Sequence, residues 1–512
     1  MLPPALGASV DTAWVRHYAG PGRSQDCATA MVLDSAGNVY VTGSTQPGGG
    51  GPLDYLTVSF SSTGSLRWAR VYDNGGGDEA NAVAVGTAGD IYVTGWSEGS
   101  GTSFDCVTAK YRADGTRCWT RRYNGPGDYV DGGCAVATGA LGQVCVAGRV
   151  HDTIDLLYDF LTIMYDTAGT EKWVARYNGT GMGMDIAFAV AIDRNGSVYT
   201  GGTSDSPSRG PDYALVKYDS LGTQQWVARY EGPGNDEMED MAVDSAGNVY
   251  LTGIGTTLYD SCDGYVTVKF DSSGALRWIA DYQAASPTCD WGYAVAADSR
   301  QSVYVTGMAW ADSASGYDCA TIKYDTAGRQ LWVARWRVPG AVHTWGADLA
   351  LDSAGNVYVT GGSTADGLHY DVITLKYSPI GELLWSAVYS RPGRGGAAIG
   401  LELDGQRSVI TGGATWGSDS SYDLTVIKYT QAGALQEPSV PETPRRRQCS
   451  PMTRGALYEH DGPAVLVDCV GRKVADLRPG ANDVSRLAPG VYFVHSASDN
   501  RQSQIARVVL TR

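Results

Sequence analysis

Six aspartates recur at one place in a repeating chain. Asp26, Asp78, Asp131, Asp185, Asp236 and Asp290 each stand 17 residues before a repeated glycine, while Thr344 and Gly396 hold that place in the last two copies. Carboxylates gathered at a channel mouth would offer hard oxygen ligands, and the metal they suit is Ca2+. The competing expectation is that each carboxylate bonds backbone amides in its own turn, which would also recur once per copy. A second aspartate (Asp54, Asp105, Asp159, Asp212, Asp263, Asp318, Asp371, Asp423) occurs in all eight copies, and that completeness points to structure.

A second set of residues suits recognition. Trp96, Tyr259, Trp310 and Trp416, with His151 and His369, fall in connections of 9 or 10 residues whose sequences differ in every copy. Constant length with changing side chains is the usual arrangement for binding. Exposed indole rings there would stack on the apolar faces of a carbohydrate. The competing expectation is that they cap the rim of their own repeat. His343, Thr344, Trp345 and His369 break the repeat most clearly, as a specific site would. There is no HExxH or P-loop motif, and the six histidines are scattered. The chain is therefore expected not to be an enzyme, although a site assembled from several repeats would leave no contiguous motif.

The elements that must position these residues follow from the repeat. Asp34-Ser-Ala-Gly-Asn-Val-Tyr-Val-Thr-Gly43 recurs unchanged at 352–361 and with one change at 244–253. The Asp and Gly specify a tight turn, and the alternating β-favouring side chains specify a strand. Closing glycines at 43, 95, 148, 202, 253, 307, 361 and 412 step by 51 to 54 residues. That period indicates a solenoid, propeller or array. Each period holds four strand candidates: an Ala/Val-rich first, the Val-Tyr-Val-Thr second, a third such as 317–324 and a Trp-bearing fourth such as 173–177. In seven copies a Trp follows four residues after the glycine of the turn before strand four, from Trp68 to Trp385. In the eighth, Glu437 stands there, whereas Trp14 opens a strand with no repeat before it. The N-terminal strand thus completes the last sheet, as in a closed ring. The expected fold is all-β: an eight-bladed β-propeller of four-stranded blades over 11–436.

This repeat, with its Asp-x-x-Gly-Asn-x-Tyr-Val-Thr-Gly core, resembles the SBBP β-propeller repeat, a relative of the NHL repeat. The family name implies seven blades; the count here is eight. Residues 437–454 read as a Pro/Arg-rich linker. Residues 455–512 carry short alternating strands of a small β-sandwich, with Asp468-Cys-Val-Gly-Arg-Lys-Val474 and Leu487-Ala-Pro-Gly-Val-Tyr-Phe-Val494. They resemble the type A C-terminal sorting domain of the type IX secretion system. That resemblance implies a secreted or outer-surface protein of a bacterium, handled by the secretion machinery through 455–512. The role expected is a binding or structural scaffold with carbohydrate or a surface protein as partner; the alternative is a secreted polysaccharide hydrolase or lyase with its site in the propeller mouth. The N-terminus lacks the features of a signal peptide and is read as truncated.

Composition agrees. There are 67 Gly, 31 Tyr and 14 Trp against only 6 Phe, suiting many short strands layered with amphipathic aromatics. Net charge is −16, which argues against a nucleic-acid partner. No apolar run is long enough to span a membrane as a helix, and a monomer is expected. The ten cysteines form no metal motif and are expected to be mostly buried thiols, with one or two bridges.

Overall fold

The computed structural model describes residues 10–431 except 22–24, 49, 154–156, 182, 207–209, 257–262, 285–288, 313–315, 392–394 and 418–420, and six further strands between 457 and 510. Tyr259 and the segment 437–454 lie outside the described residues. The chain divides into two compact units, Met1–Ala434 and Leu435–Arg512.

In the first unit thirty-two strands form eight four-stranded antiparallel blades. Blade 1 runs from its innermost strand outward as Asp26–Leu33, Val39–Thr45, Asp54–Phe60 and Leu66–Tyr72. Blade 8 holds Gly396–Leu403, Val409–Trp416 and Tyr422–Gln431, and its outermost strand is Val10–Tyr18 from the N-terminus, paired from Val10↔Gln431 to Tyr18↔Leu424. Blades 6 and 7 are further joined by a parallel bridge between Tyr317 and His343.

Closure is visible in the core. Eight apolar clusters exist among the described residues, and each is shared by two adjacent blades. One joins Trp14, Leu424 and Val426 of blade 8 to Val39, Val41, Leu56 and Val58 of blade 1. Second and third strands face neighbours on both sides, so Val39–Thr45 and Asp54–Phe60 are buried at every residue and polar alternation disappears.

Outer strands are stapled to the next blade. Trp68 Nε1 donates to the Ala113 carbonyl at 3.0 Å, and a Cβ on Gly115 (φ +82°) would lie 2.7 Å from the indole. Across the closure, Trp14 packs on Gly64 in the same way, and Lys428 Nζ donates to the Ser62 carbonyl. Five third-strand lysines (110, 217, 269, 323 and 376) lie over a tyrosine ring of their own blade, as with Lys217 4.8 Å from the centre of Tyr199.

The faithful turn explains itself. Asp34 Oδ1 accepts from the Ala36 and Asn38 amides, and Oδ2 accepts from Asn38 Nδ2 and the Tyr40 hydroxyl. The same four bonds recur at Asp244 and Asp352.

Two expectations are corrected. The repeated glycine does not end its strand, since Val39–Thr45 continues past Gly43. An inner-strand bulge between Ala28 and Ala30 brings the Cys27 carbonyl to 1.9 Å from where a Cβ on Gly43 would sit, so the glycine serves close approach. In blade 8 this place belongs to Gly413, paired with Ala398 beside the bulge, not to Gly412.

In the second unit, Lys473–Leu477, Ala464–Asp468, Gly490–Ser496 and Gln504–Leu510 form one antiparallel sheet, in that order. Leu457–His460 and Gly480–Asp483 form another. Among the described residues no helix occurs, and none is long and apolar enough to cross a membrane. Seven cysteines (27, 106, 118, 134, 145, 289 and 319) are free thiols, and burial pushes Cys106 and Cys319 up to about 12.

Candidate functional site

Strand direction places the Asp34-type turns and the Gly64-type turns on one face. The second-to-third and blade-to-blade connections lie on the other. The sequence-predicted residues gather on this second face, where the blades differ most.

The six repeated aspartates are buried, each in its own connection. Asp26 accepts from the Gly20 amide at 2.5 Å, Asp78 from Asn74 at 2.9 Å, Asp185 from Gly179 at 2.6 Å and Asp236 from Gly232 at 2.6 Å. Asp131 accepts from Gly125 and from His151, and Asp290 from Ala284 and Trp310. Burial raises Asp78, Asp131, Asp185 and Asp290 above the ordinary carboxylate range and pushes Asp236 to about 7. Among the described residues no group of three candidate ligand side chains contains more than one of the six. The only group of three candidate ligand side chains among the described residues joins Asp78 to Asp54 and Asp73.

The aromatic residues stand on strand ends and not in free loops, because the second strands run past the glycine: Trp96 in Ile91–Glu98, Trp310 in Val303–Asp312 and Trp416 in Val409–Trp416. Trp96 belongs to a built arrangement. Its Nε1 donates to Glu79 Oε2 at 3.0 Å, its ring meets Phe104 at 6.4 Å, and the Arg149 guanidinium sits 5.0 Å from it. Arg149 also lies 4.9 Å from the Tyr158 ring, which meets His151 edge-on, and His151 in turn lies 4.3 Å from Tyr129. These side chains of blades 2 and 3 border a cavity of about 450 Å3 lined by Trp96, Phe104, Tyr158, Arg149, Glu79 and Asp78. Two aromatic walls, one cation and carboxylates at the rim suit a polar ring with apolar faces.

The other predicted residues divide into separate places. Trp310 and His343 both contact Tyr317, at 5.1 and 5.4 Å. Trp416 meets Tyr422 edge-on, and exposed His369 is held by Asp366 at 2.5 Å.

Arg149, Phe104, Tyr158 and Glu79 were not singled out from sequence. A signal existed: an aromatic immediately precedes the third-strand aspartate in five blades, at Phe104, Tyr158, Tyr317, Tyr370 and Tyr422. Arg149 and Trp96 occupy the same place, one residue past the repeated glycine, in adjacent blades.

A second cavity on this face, about 580 Å3, is lined by Glu237, Glu239, Asp205, Phe188 and Met184 among others. The Glu239 side chain reaches solvent, yet the dense protein around it and then the charges of Glu237 and Asp240 push its carboxyl up to about 7.

The SBBP beta-propeller repeat family matches residues 225–257 and 340–369. No curated protein matches the chain. Similar solved structures include a eukaryotic initiation factor (11% identity, 70% of this chain, 78% of that one, TM-score 0.40). Another is the beta-propeller domain of the Trilobed protease from Pyrococcus furiosus (8%, 72% and 93%, TM-score 0.40). A third is Drosophila Plexin A, solved in complex with Semaphorin 1b (10%, 82% and 87%, TM-score 0.37).

Proposed function

We propose that this propeller is a secreted or surface-attached binding scaffold whose recognition site is the aromatic cavity of blades 2 and 3, with carbohydrate as the ligand class. The observation that carries the reading is the pairing of Trp96 and Tyr158 about one guanidinium at the edge of a 450 Å3 cavity. Sugar rings stack on such walls, while Arg149 and Glu79 supply a donor and an acceptor for hydroxyls. A glycan array on the full chain tests it: wild type binds at least one oligosaccharide class, and Trp96→Ala loses that signal while folding normally. An array without signal, or one unchanged by Trp96→Ala, removes the site.

Export through residues 455–512, acting as a type IX sorting domain, belongs to the same reading and is supported by the two motifs of that segment. A periplasm-directed reporter carrying these residues is expected to reach the surface of a bacterium that has the system, and to stay inside without them. A second reading, a polysaccharide hydrolase or lyase, is favoured by Glu239, a carboxyl near 7 beside Glu237 in the 580 Å3 cavity. Release of reducing or unsaturated ends by wild type, abolished in Glu239→Gln, would establish it in place of the scaffold.

A further inference from the structure

We propose that Asp54, Asp73 and Asp78 bind a single divalent cation of the Ca2+ class at the junction of blades 1 and 2. Their carboxylate oxygens lie within 4.8 Å of one another. Ligand distances of about 2.3–2.6 Å let one hard cation bridge oxygens so spaced.

The second observation is Asp54 itself. It is only 6% exposed, and its carboxylate has no hydrogen-bond or ion-pair partner among the described residues. Burial, then the neighbouring Asp73 and Asp78, push it up to about 6. A buried carboxylate facing two others is costly unless a cation stands among them.

In blades 2, 4 and 6 an arginine fills this place. Arg122 meets Asp105 at 2.6 Å, Arg229 meets Asp212 at 3.2 Å and Arg335 meets Asp318 at 3.1 Å. These arginines share one register position on the outermost strand, opposite Val107, Ala214 and Ala320. In blade 1 that position, opposite Leu56, is Val71. Blade 7 also has a valine, Val388, but Ser390 and Gly396 stand where blade 1 and its neighbour have Asp73 and Asp78. Blade 5 has Asp281 at the arginine's place and Gln283 two residues on, and blade 8 has His17 and Ala19, so of the blades that lack the arginine only blade 1 carries a carboxylate two residues further on, Asp73. Arg122, the nearest guanidinium acting on Asp78, is engaged by Asp105 and Ser97.

Donors remain for the ion. Asp73 Oδ1 accepts from the Gly75 amide and Asp78 Oδ2 from the Asn74 amide, so each spends one oxygen on the connection. Asp73 is exposed, which opens the site to solvent and to water ligands. The bound ion would fix the 73–78 connection, which borders the aromatic cavity through Gly77 and Asp78.

The test is titration calorimetry and thermal melting of the full chain, stripped with EGTA, against CaCl2, MgCl2 and MnCl2. Wild type is expected to give a saturable one-site heat with Ca2+ and a Tm raised by a few degrees. Val71→Arg, which introduces the arginine of blades 2, 4 and 6, is expected to abolish both while melting in EGTA no lower than wild type. Asp54→Asn is expected to weaken binding at least about tenfold, one lost charged ligand, and keeps the test open if Val71→Arg folds poorly. No saturable heat with any of the three cations in wild type, or wild-type affinity in both variants, would overturn the proposal.

Discussion

The two faces of the propeller put the same residue type to opposite chemical use. On the face of the Asp34-type turns, burial pushes Asp34, Asp244 and Asp352 up, but the bonds from Asn, Tyr and backbone amides outweigh it and hold them below the usual carboxylate range. On the other face and along the inner strands, burial dominates: Asp236 rises to about 7, Asp54 to about 6 and Asp348 to about 8. Cavities follow the same division. On the turn face two clefts, of about 490 and 520 Å3, are copies of one another, lined by Asp193 and Asp244 in one case and Asp298 and Asp352 in the other. The aromatic cavity has no such copy among the described cavities. Repetition thus marks what each blade needs to fold, and departure from it marks where selectivity can reside.

The division can be broken most violently at the shared positions. A Cβ on Gly95 would lie 1.9 Å from the Glu79 carbonyl, and backbone cannot move aside cheaply. Gly95→Val is expected to cost about 3 kcal/mol or more, read as a lower denaturation midpoint with no change in slope. Next comes the turn itself: Asp352→Ala removes the acceptor of four hydrogen bonds and is expected to cost about 2 kcal/mol, leaving the opposite face intact.

The pH dependence should separate the two carboxylate sets. Turn-face aspartates, with folded values below the unfolded value of about 3.9, contribute stability that is complete above that value. It is lost as pH falls through their folded values. Carboxyls raised in the folded state do the reverse: ionisation opposes folding, so stability grows as pH falls through about 8 at Asp348 and about 7 at Glu402 and Asp236. Melting temperature is therefore expected to peak near about pH 4 to 5 and fall on both sides. Asp348→Asn should flatten the alkaline limb; a plateau from pH 5 to 8 in wild type would contradict the assignment.

The architecture was legible because it repeats. The Trp14 strand and the missing Trp at 437 gave away the closure, and the turn residues named their own hydrogen bonds. What could not be read was which side chains meet across blades. Trp96, Arg149 and Tyr158 come from two blades, and no local spacing relates them. The same holds for the role of Gly43, which depends on a bulge in the neighbouring strand, and for Asp54, whose setting joins a valine 17 residues away at position 71 to the carboxylates of Asp73 and Asp78. Read singly, the six repeated aspartates suggested a ring, and each is found bonded to an amide of its own connection, as the competing expectation had it.

The smallest effect on stability is expected where the effect on binding is largest. Trp96 is half-buried, and Trp96→Ala should shift stability by about 1 kcal/mol or less. The most direct measurement sets this variant beside Asp352→Ala and follows both melting and oligosaccharide binding on the same samples. Trp96→Ala should abolish binding with little change in Tm, and Asp352→Ala should lower Tm with binding unchanged below its transition. Binding that survives Trp96→Ala, or that is lost in the folded Asp352→Ala protein, would contradict the division of the molecule into a repeated structural face and a singular recognition face.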